Sequence, residues 1–194
     1  TVRNTQLSFY ENDKRATDVS VGPDTALIRT ELFRAGTAGS DDVTGLKLQT
    51  KTYFAGTANE EKTDYTQNYR TDGATVRNTQ ISYYEDEKRA NDNSVGPDTA
   101  LIRTELFRAG TAGSDDVTGL KLQTKTYFAG SANEEKTDYT QNYRTDGATV
   151  RNTQISYYEN NARANDNSVG PDTALIRTEL FRAGTAGSDD VTGL

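Results

Sequence analysis

The chain has no cysteine, histidine, methionine or tryptophan, and only three prolines in 194 residues. Without cysteine there is no disulfide, no thiolate metal site and no thiol nucleophile. Without histidine the commonest general base is gone. Apolar residues are also scarce, at 32% against about 45–50% in ordinary globular chains. Any core must therefore be thin. No apolar run approaches the roughly 18 residues that would suggest a membrane helix, so no membrane span is expected. Positive charge is in deficit, with 22 Lys and Arg against 29 Asp and Glu. Nucleic-acid binding needs clustered cations to neutralise phosphates. Here the cations are interleaved with acids, which excludes that partner class.

What is present is repetition. Residues 1–74 form one unit, 75–148 a second, and 149–194 the opening of a third. The phrase TVRNTQLSFYENDKRA returns as TVRNTQISYYEDEKRA and TVRNTQISYYENNARA. Nearly all differences between copies fall in the first 19 residues of the unit, as where Phe9 becomes Tyr83 and Tyr157. The missing methionine and the stop partway through a unit lead to the expectation of a window in a longer array, continuing with KLQTKTYFAG.

Each unit holds four phrases: VRNTQLSFYEN, LIRTELFRAG, LKLQTKTYFAG and YTQNYRTDG. Apolar and polar residues alternate with period two, the strand signature. Thr, Tyr, Phe, Ile and Val suit a half-buried pleated surface. Stretches rich in Gly, Asp, Asn and Ser lie between and read as turns. One aromatic anchors each phrase: Tyr10, Phe33, Tyr53, Tyr69, Tyr84, Phe107, Tyr127, Tyr143, Tyr158 and Phe181. A strand-plus-loop phrase cannot bury its own apolar face, but stacked on its neighbours it shares a continuous sheet. The expected fold is an all-β tandem-repeat strand array with four strands per 74-residue unit, as a spiral sheet, a tube or a β-solenoid-like fibre.

The phrases resemble the YD (Rhs-type) repeat family, whose pattern is roughly Tyr-Asp-x-x-Gly-Arg-Leu. Tyr84-Glu85-Asp86-Glu87-Lys88-Arg89-Ala90 follows it with Glu for Asp, Lys for Gly and Ala for Leu. Residues 10–16 and 158–164 do likewise, and Tyr69 and Gly73 keep the family's Tyr and Gly. The resemblance implies a long β-sheet spiralling into a shell that encloses a toxin, or a large surface protein. Tyr-Asp itself never occurs at an anchor, and most phrases lack the Gly-Arg pair.

Catalysis is not expected. Paired carboxylates occur at Asp41/Asp42 and Glu60/Glu61, but acid–base work needs a sheltered pair with separated pKa values, and Gly-flanked loops predict solvated ones. For metals, residues 91–98 (NDNSVGPD) place oxygen donors around a glycine, as calcium loops do. Asp92, Asn93 and Asp98 are the calcium candidates, set against a simple Asx turn before proline. No other cofactor is implied. Tyr83 and Tyr84 must face opposite sides of a strand, and Tyr84 and Tyr158 are read as an outward aromatic stripe. Lys47, Gln49 and Lys51 share a face with Tyr53 and read as a solvated strand face.

The function expected from these features is structural: a segment of a long extracellular or cell-surface fibre that associates with itself. The alternatives are an adhesin or lectin-like array, whose variable 12–19 loop contacts glycans or a cell surface, and the toxin-encapsulating shell.

Overall fold

The computed structural model describes residues 2–193. The β-branched and aromatic runs form ten strands: β1 Asn4–Tyr10, β2 Leu27–Arg34, β3 Lys47–Ala55, β4 Lys62–Tyr69, β5 Val76–Tyr84, β6 Leu101–Arg108, β7 Lys121–Ala129, β8 Lys136–Tyr143, β9 Val150–Tyr158 and β10 Leu175–Arg182. From β1 to β5, and again from β6 to β10, the order in the sheet is the order in the chain. The protein is thus all-β and antiparallel, with four strands in each complete 74-residue unit. Short 3₁₀ turns follow β1, β5 and β9, at Glu11–Asp13, Glu85–Glu87 and Glu159–Asn161. The sequence reading did not foresee them, nor that β4 would start at Lys62, inside a stretch read as a turn.

The chain divides into two compact units. The first comprises Thr1–Ile81, Arg89–Pro97 and Ala109–Thr118. Register fixes one face of its sheet: Leu7 lies opposite Glu31, Glu31 opposite Lys51, Tyr53 opposite Tyr65, Tyr65 opposite Ile81, and Gln67 opposite Thr79. Because side chains alternate with period two, these residues share a face. Each pairing carries a register shift, at Phe9/Tyr10, Leu32/Phe33, Tyr53/Phe54 and Asn68/Tyr69. Such bulges increase local twist and break strict alternation near the strand ends.

The second unit comprises Ser82–Lys88, Asp98–Arg108 and Gly119–Leu194. Its registers repeat those of the first: Glu105 opposite Lys125, Tyr127 opposite Tyr139, Tyr139 opposite Ile155 and Gln141 opposite Thr153. Ile81 and Ile155 are fully buried, and so are Gln67, Gln141, Thr79 and Thr153. The thin core is therefore partly polar. This is how a chain with so few apolar residues still builds an interior, its buried polar groups finding partners there.

Two expectations about faces are corrected here. Tyr84 and Tyr158 are buried, at 4% and 5% exposure, so they are not an outward stripe. The Tyr158 hydroxyl donates to the carbonyl of Thr137 at 2.8 Å, which explains how its polar end can be enclosed. Tyr83 and Tyr157 are the half-covered partners. The β3 face is not simply solvated either. Lys51 reaches Glu31 at 2.8 Å, and Tyr53 stacks on Tyr65 with ring centroids 4.2 Å apart.

Candidate functional site

The best-defined constellation is a loop held down on the sheet by one buried amide. In the first unit the loop after β6 lies against β4 and β5. Gln67 donates from Nε2 to the carbonyls of Thr111 at 2.9 Å and Ser114 at 3.0 Å. Its Oε1 accepts from the amide of Gly113 at 2.8 Å and from the Tyr69 hydroxyl at 3.2 Å. A glutamine side chain has two N–H donors and two acceptor lone pairs. All four are engaged, as burial demands.

Neighbours on the same face complete the grip. The Tyr65 hydroxyl donates to the Gly113 carbonyl at 3.1 Å, and Thr79 Oγ1 donates to the Ala109 carbonyl at 3.1 Å. Ala109 sits at φ 65° and Gly110 at φ 153°. A Cβ at Gly110 would overlap the Thr79 hydroxyl, so the close approach of loop and strand needs glycine there. Enclosure raises the pKa of Tyr65 and lifts that of Tyr69 to about 12, with Tyr53 adding to both shifts.

A charged clasp lies alongside. Arg89 meets Asp64 on β4 and Asp115 in the loop at 2.9 and 3.2 Å. Desolvation raises the pKa of Asp64, against the opposing pull of Arg89. Asp64 and Tyr65 are both buried, though adjacent, because the Tyr53/Phe54 register shift falls here.

The second unit repeats this arrangement. Gln141 donates to Thr185 and Ser188 at 2.8 and 2.9 Å and accepts from Gly187 and Tyr143 at 2.8 and 3.2 Å. Arg163 meets Asp138 and Asp189 at 2.9 and 3.1 Å. Tyr127 and Tyr139 stack at 4.2 Å.

The sequence reading picked the tyrosines but passed over Gln67, Asp64 and Arg89. The available signal was the phrase YTQNY, which sets a glutamine midway between two tyrosines on one strand face. All ten aromatic anchors lie within strands, with Tyr69, Tyr84, Tyr143 and Tyr158 buried. Tyr10, Phe33, Tyr53, Phe107, Tyr127 and Phe181 are half-covered.

The paired carboxylates do not converge on a reacting centre. Asp41 pairs with Arg15 at 3.3 Å and Asp42 accepts from the Thr44 amide at 2.8 Å. Glu60 accepts from Thr57, and Glu61 from the amide of Leu27 at 2.7 Å. Of the calcium candidates, Asp92 is taken up by an Asx turn, accepting from the Ser94 amide and hydroxyl at 2.9 and 2.6 Å. Asn93 and Asp98 are exposed. Among the described residues no group of three or more acidic side chains is placed to hold a metal ion. A cavity of about 550 Å³ beside Asp92 and Asn93 is lined by Gly56, Thr57, Glu60 and Pro97. Its counterpart in the second unit is about 60 Å³. Among the described residues no helix is long and apolar enough to cross a membrane.

Comparison of the chain with protein-family models, with curated proteins and with solved structures found no match in any of the three.

Proposed function

We propose that the chain is a structural segment of a long extracellular or cell-surface tandem-repeat fibre. Its work is done by strand pairing and loop capture rather than by a reaction. The carrying observation is that the Gln67 grip on residues 111–114 recurs, bond for bond, as the Gln141 grip on residues 185–188. A contact that lies within one compact unit, joins one 74-residue repeat to the next and recurs with the sequence period supports an array of open length. In this reading the sheet continues as a spiral or solenoid-like array, self-association supplies the lateral contacts, and the YD-like residues mark a distant relationship. No ligand is required.

Negative-stain microscopy of chains with two, four and eight complete units tests it. Particles should lengthen by a constant increment per unit at fixed width. Compact particles growing in all dimensions would sink the proposal. The adhesin reading gains nothing from Tyr84 and Tyr158, since both rings are enclosed.

A further inference from the structure

One end of the strands collects arginines that meet no carboxylate. Arg15, Arg29, Arg89, Arg103, Arg163 and Arg177 each reach an acid within 3.3 Å. Among the described residues, Arg108, Arg144 and Arg151 of the second unit enter no ion pair. Neither do Arg34, Arg70 and Arg77 of the first. The chain has acids to spare, 29 against 22 cations, so supply is not the reason. The acid of the 144–149 turn, Asp146, is taken up by the Ala148 and Thr149 amides, both at 2.9 Å, and by the Thr149 hydroxyl at 2.6 Å. Cations and acids that interleave in the sequence are here held apart.

Topology gathers the second unit's three into one place. Arg108 ends β6, Arg144 follows β8 and Arg151 is the second residue of β9. In antiparallel strands these positions fall at the same end. β7 stands between Arg108 and the other two, but the 144–149 turn folds over it. The Arg144 amide donates to the Thr149 carbonyl at 2.8 Å. Gly147, at φ 74°, comes so close to β7 that a Cβ would lie 2.8 Å from the Leu122 nitrogen. Arg108, Arg144 and Arg151 then line one cleft of about 280 Å³ with Tyr143 and Thr145. Arg108 Nε is enclosed without a hydrogen-bond acceptor. Like charges held side by side are unfavourable, and an entering anion relieves that cost. The first unit sets Arg34, Arg70 and Arg77 at the same strand positions, with Gly73 as close to Leu48 as Gly147 is to Leu122. A chain end does not create this exposure. Arg70 has β1, β2 and β3 before it and a complete repeat after it, and both Arg70 and Arg77 are exposed.

We propose that the cleft of Arg108, Arg144 and Arg151 binds a tetrahedral oxyanion group, a sulfate or phosphate ester carried on a polymer, and that Arg34, Arg70 and Arg77 form its copy. A guanidinium fork matches two oxygens of such a group. Three forks carry more positive charge than one ester cancels, which suits a ligand with several anionic groups in a row. With one site in each unit, a polyanion long enough to span both gains avidity. The inference goes beyond the fibre reading and does not depend on it.

Calorimetric titration of the 194-residue chain with dextran sulfate, polyphosphate and uncharged dextran tests it. At least one polyanion should bind, with an affinity that falls as salt rises, and the one that binds names the ester. Replacing Arg70, Arg77, Arg144 and Arg151 together by Gln should weaken binding by at least about tenfold. All four are exposed, so the circular-dichroism spectrum should not change. Replacing Lys14, Lys62, Lys88 and Lys136 by Gln removes the same charge from the opposite end of the strands, and should leave binding within about twofold. The inference is overturned if neither polyanion binds better than uncharged dextran, if the arginine variant binds like the parent, or if the lysine variant loses as much. Salt-sensitive self-association that the arginine variant abolishes, without polyanion binding, would assign these arginines to a second copy of the chain and also overturn it.

Discussion

Gln67 and Thr111 lie 44 positions apart in sequence and 2.9 Å apart in space. Gln141 and Thr185 repeat that relationship at 2.8 Å. Replacing Gln67 by Ala leaves two carbonyls and one amide without their partner. An unpaired buried polar group costs about 1–3 kcal/mol, and water entering the gap recovers part of it. The expected loss is about 3 kcal/mol in urea unfolding. Gln67→Glu should fare no better, because it turns an oxygen toward two carbonyls. In both variants the Gly113 amide should exchange faster while Gly187 keeps its protection.

Arg89→Ala should cost about 2 kcal/mol, less than the roughly 3–5 kcal/mol seen when fully buried pairs are broken, because Arg89 keeps 22% side-chain exposure. The variant should also acquire a pH signature. Desolvation raises the Asp64 pKa, and Arg89 opposes the rise, so removing Arg89 raises it further. A carboxyl whose folded pKa exceeds its unfolded value binds more protons when folded, so stability increases as pH falls through the folded pKa toward the unfolded one. Urea midpoints of Arg89→Ala should therefore recover as the pH falls from neutral toward the unfolded carboxyl range.

The alkaline limit comes from the tyrosines. Tyr69 and Tyr143 are held up to about 12, mainly by desolvation, and Tyr65 and Tyr139 are raised as well. Unfolded tyrosines ionise near pH 10. Above that value the unfolded chain loses protons that the folded chain keeps, so stability falls with rising pH. Ultraviolet titration should show a late, cooperative phenolate step coincident with loss of the sheet signal. Tyr69→Phe should move that step to higher pH.

Glu87 occupies φ 62°, where the first and third copies place Asp13 and Asn161. A non-glycine residue is strained in this left-handed region, and Asn tolerates it better than Glu. Glu87→Gly should relieve that strain. It should also lose the ion pair with Arg103, a partly exposed contact worth well under about 1 kcal/mol. Glu87→Asn should stabilise by about 0.5 kcal/mol, read as a shift in the thermal midpoint with unchanged spectra.

Strand positions were legible because period-two alternation and turn residues are local signals. LIRTELFR and KLQTKTYFA became β2 and β3 almost to the residue. The facing of Tyr84 was not legible, because alternation separates the two sides of a strand but cannot say that both are covered: Asn78, Ser82 and Tyr84 are buried on one side of β5, and Thr79 and Ile81 on the other. Gln67 was hidden for another reason. Alternation assigns it to a face but cannot say that a loop from the following unit covers that face. The covering loop lies 44 to 47 residues ahead, beyond any window in which composition or pattern carries information.

That reach has a mechanical consequence. The 44 positions from Gln67 to Thr111 correspond to roughly 150 Å of fully extended chain. The amide fastens the ends of that length side by side. Under tension each fastening shields its own slack until it gives way, so a chain of such units would lengthen in equal steps, one per glutamine.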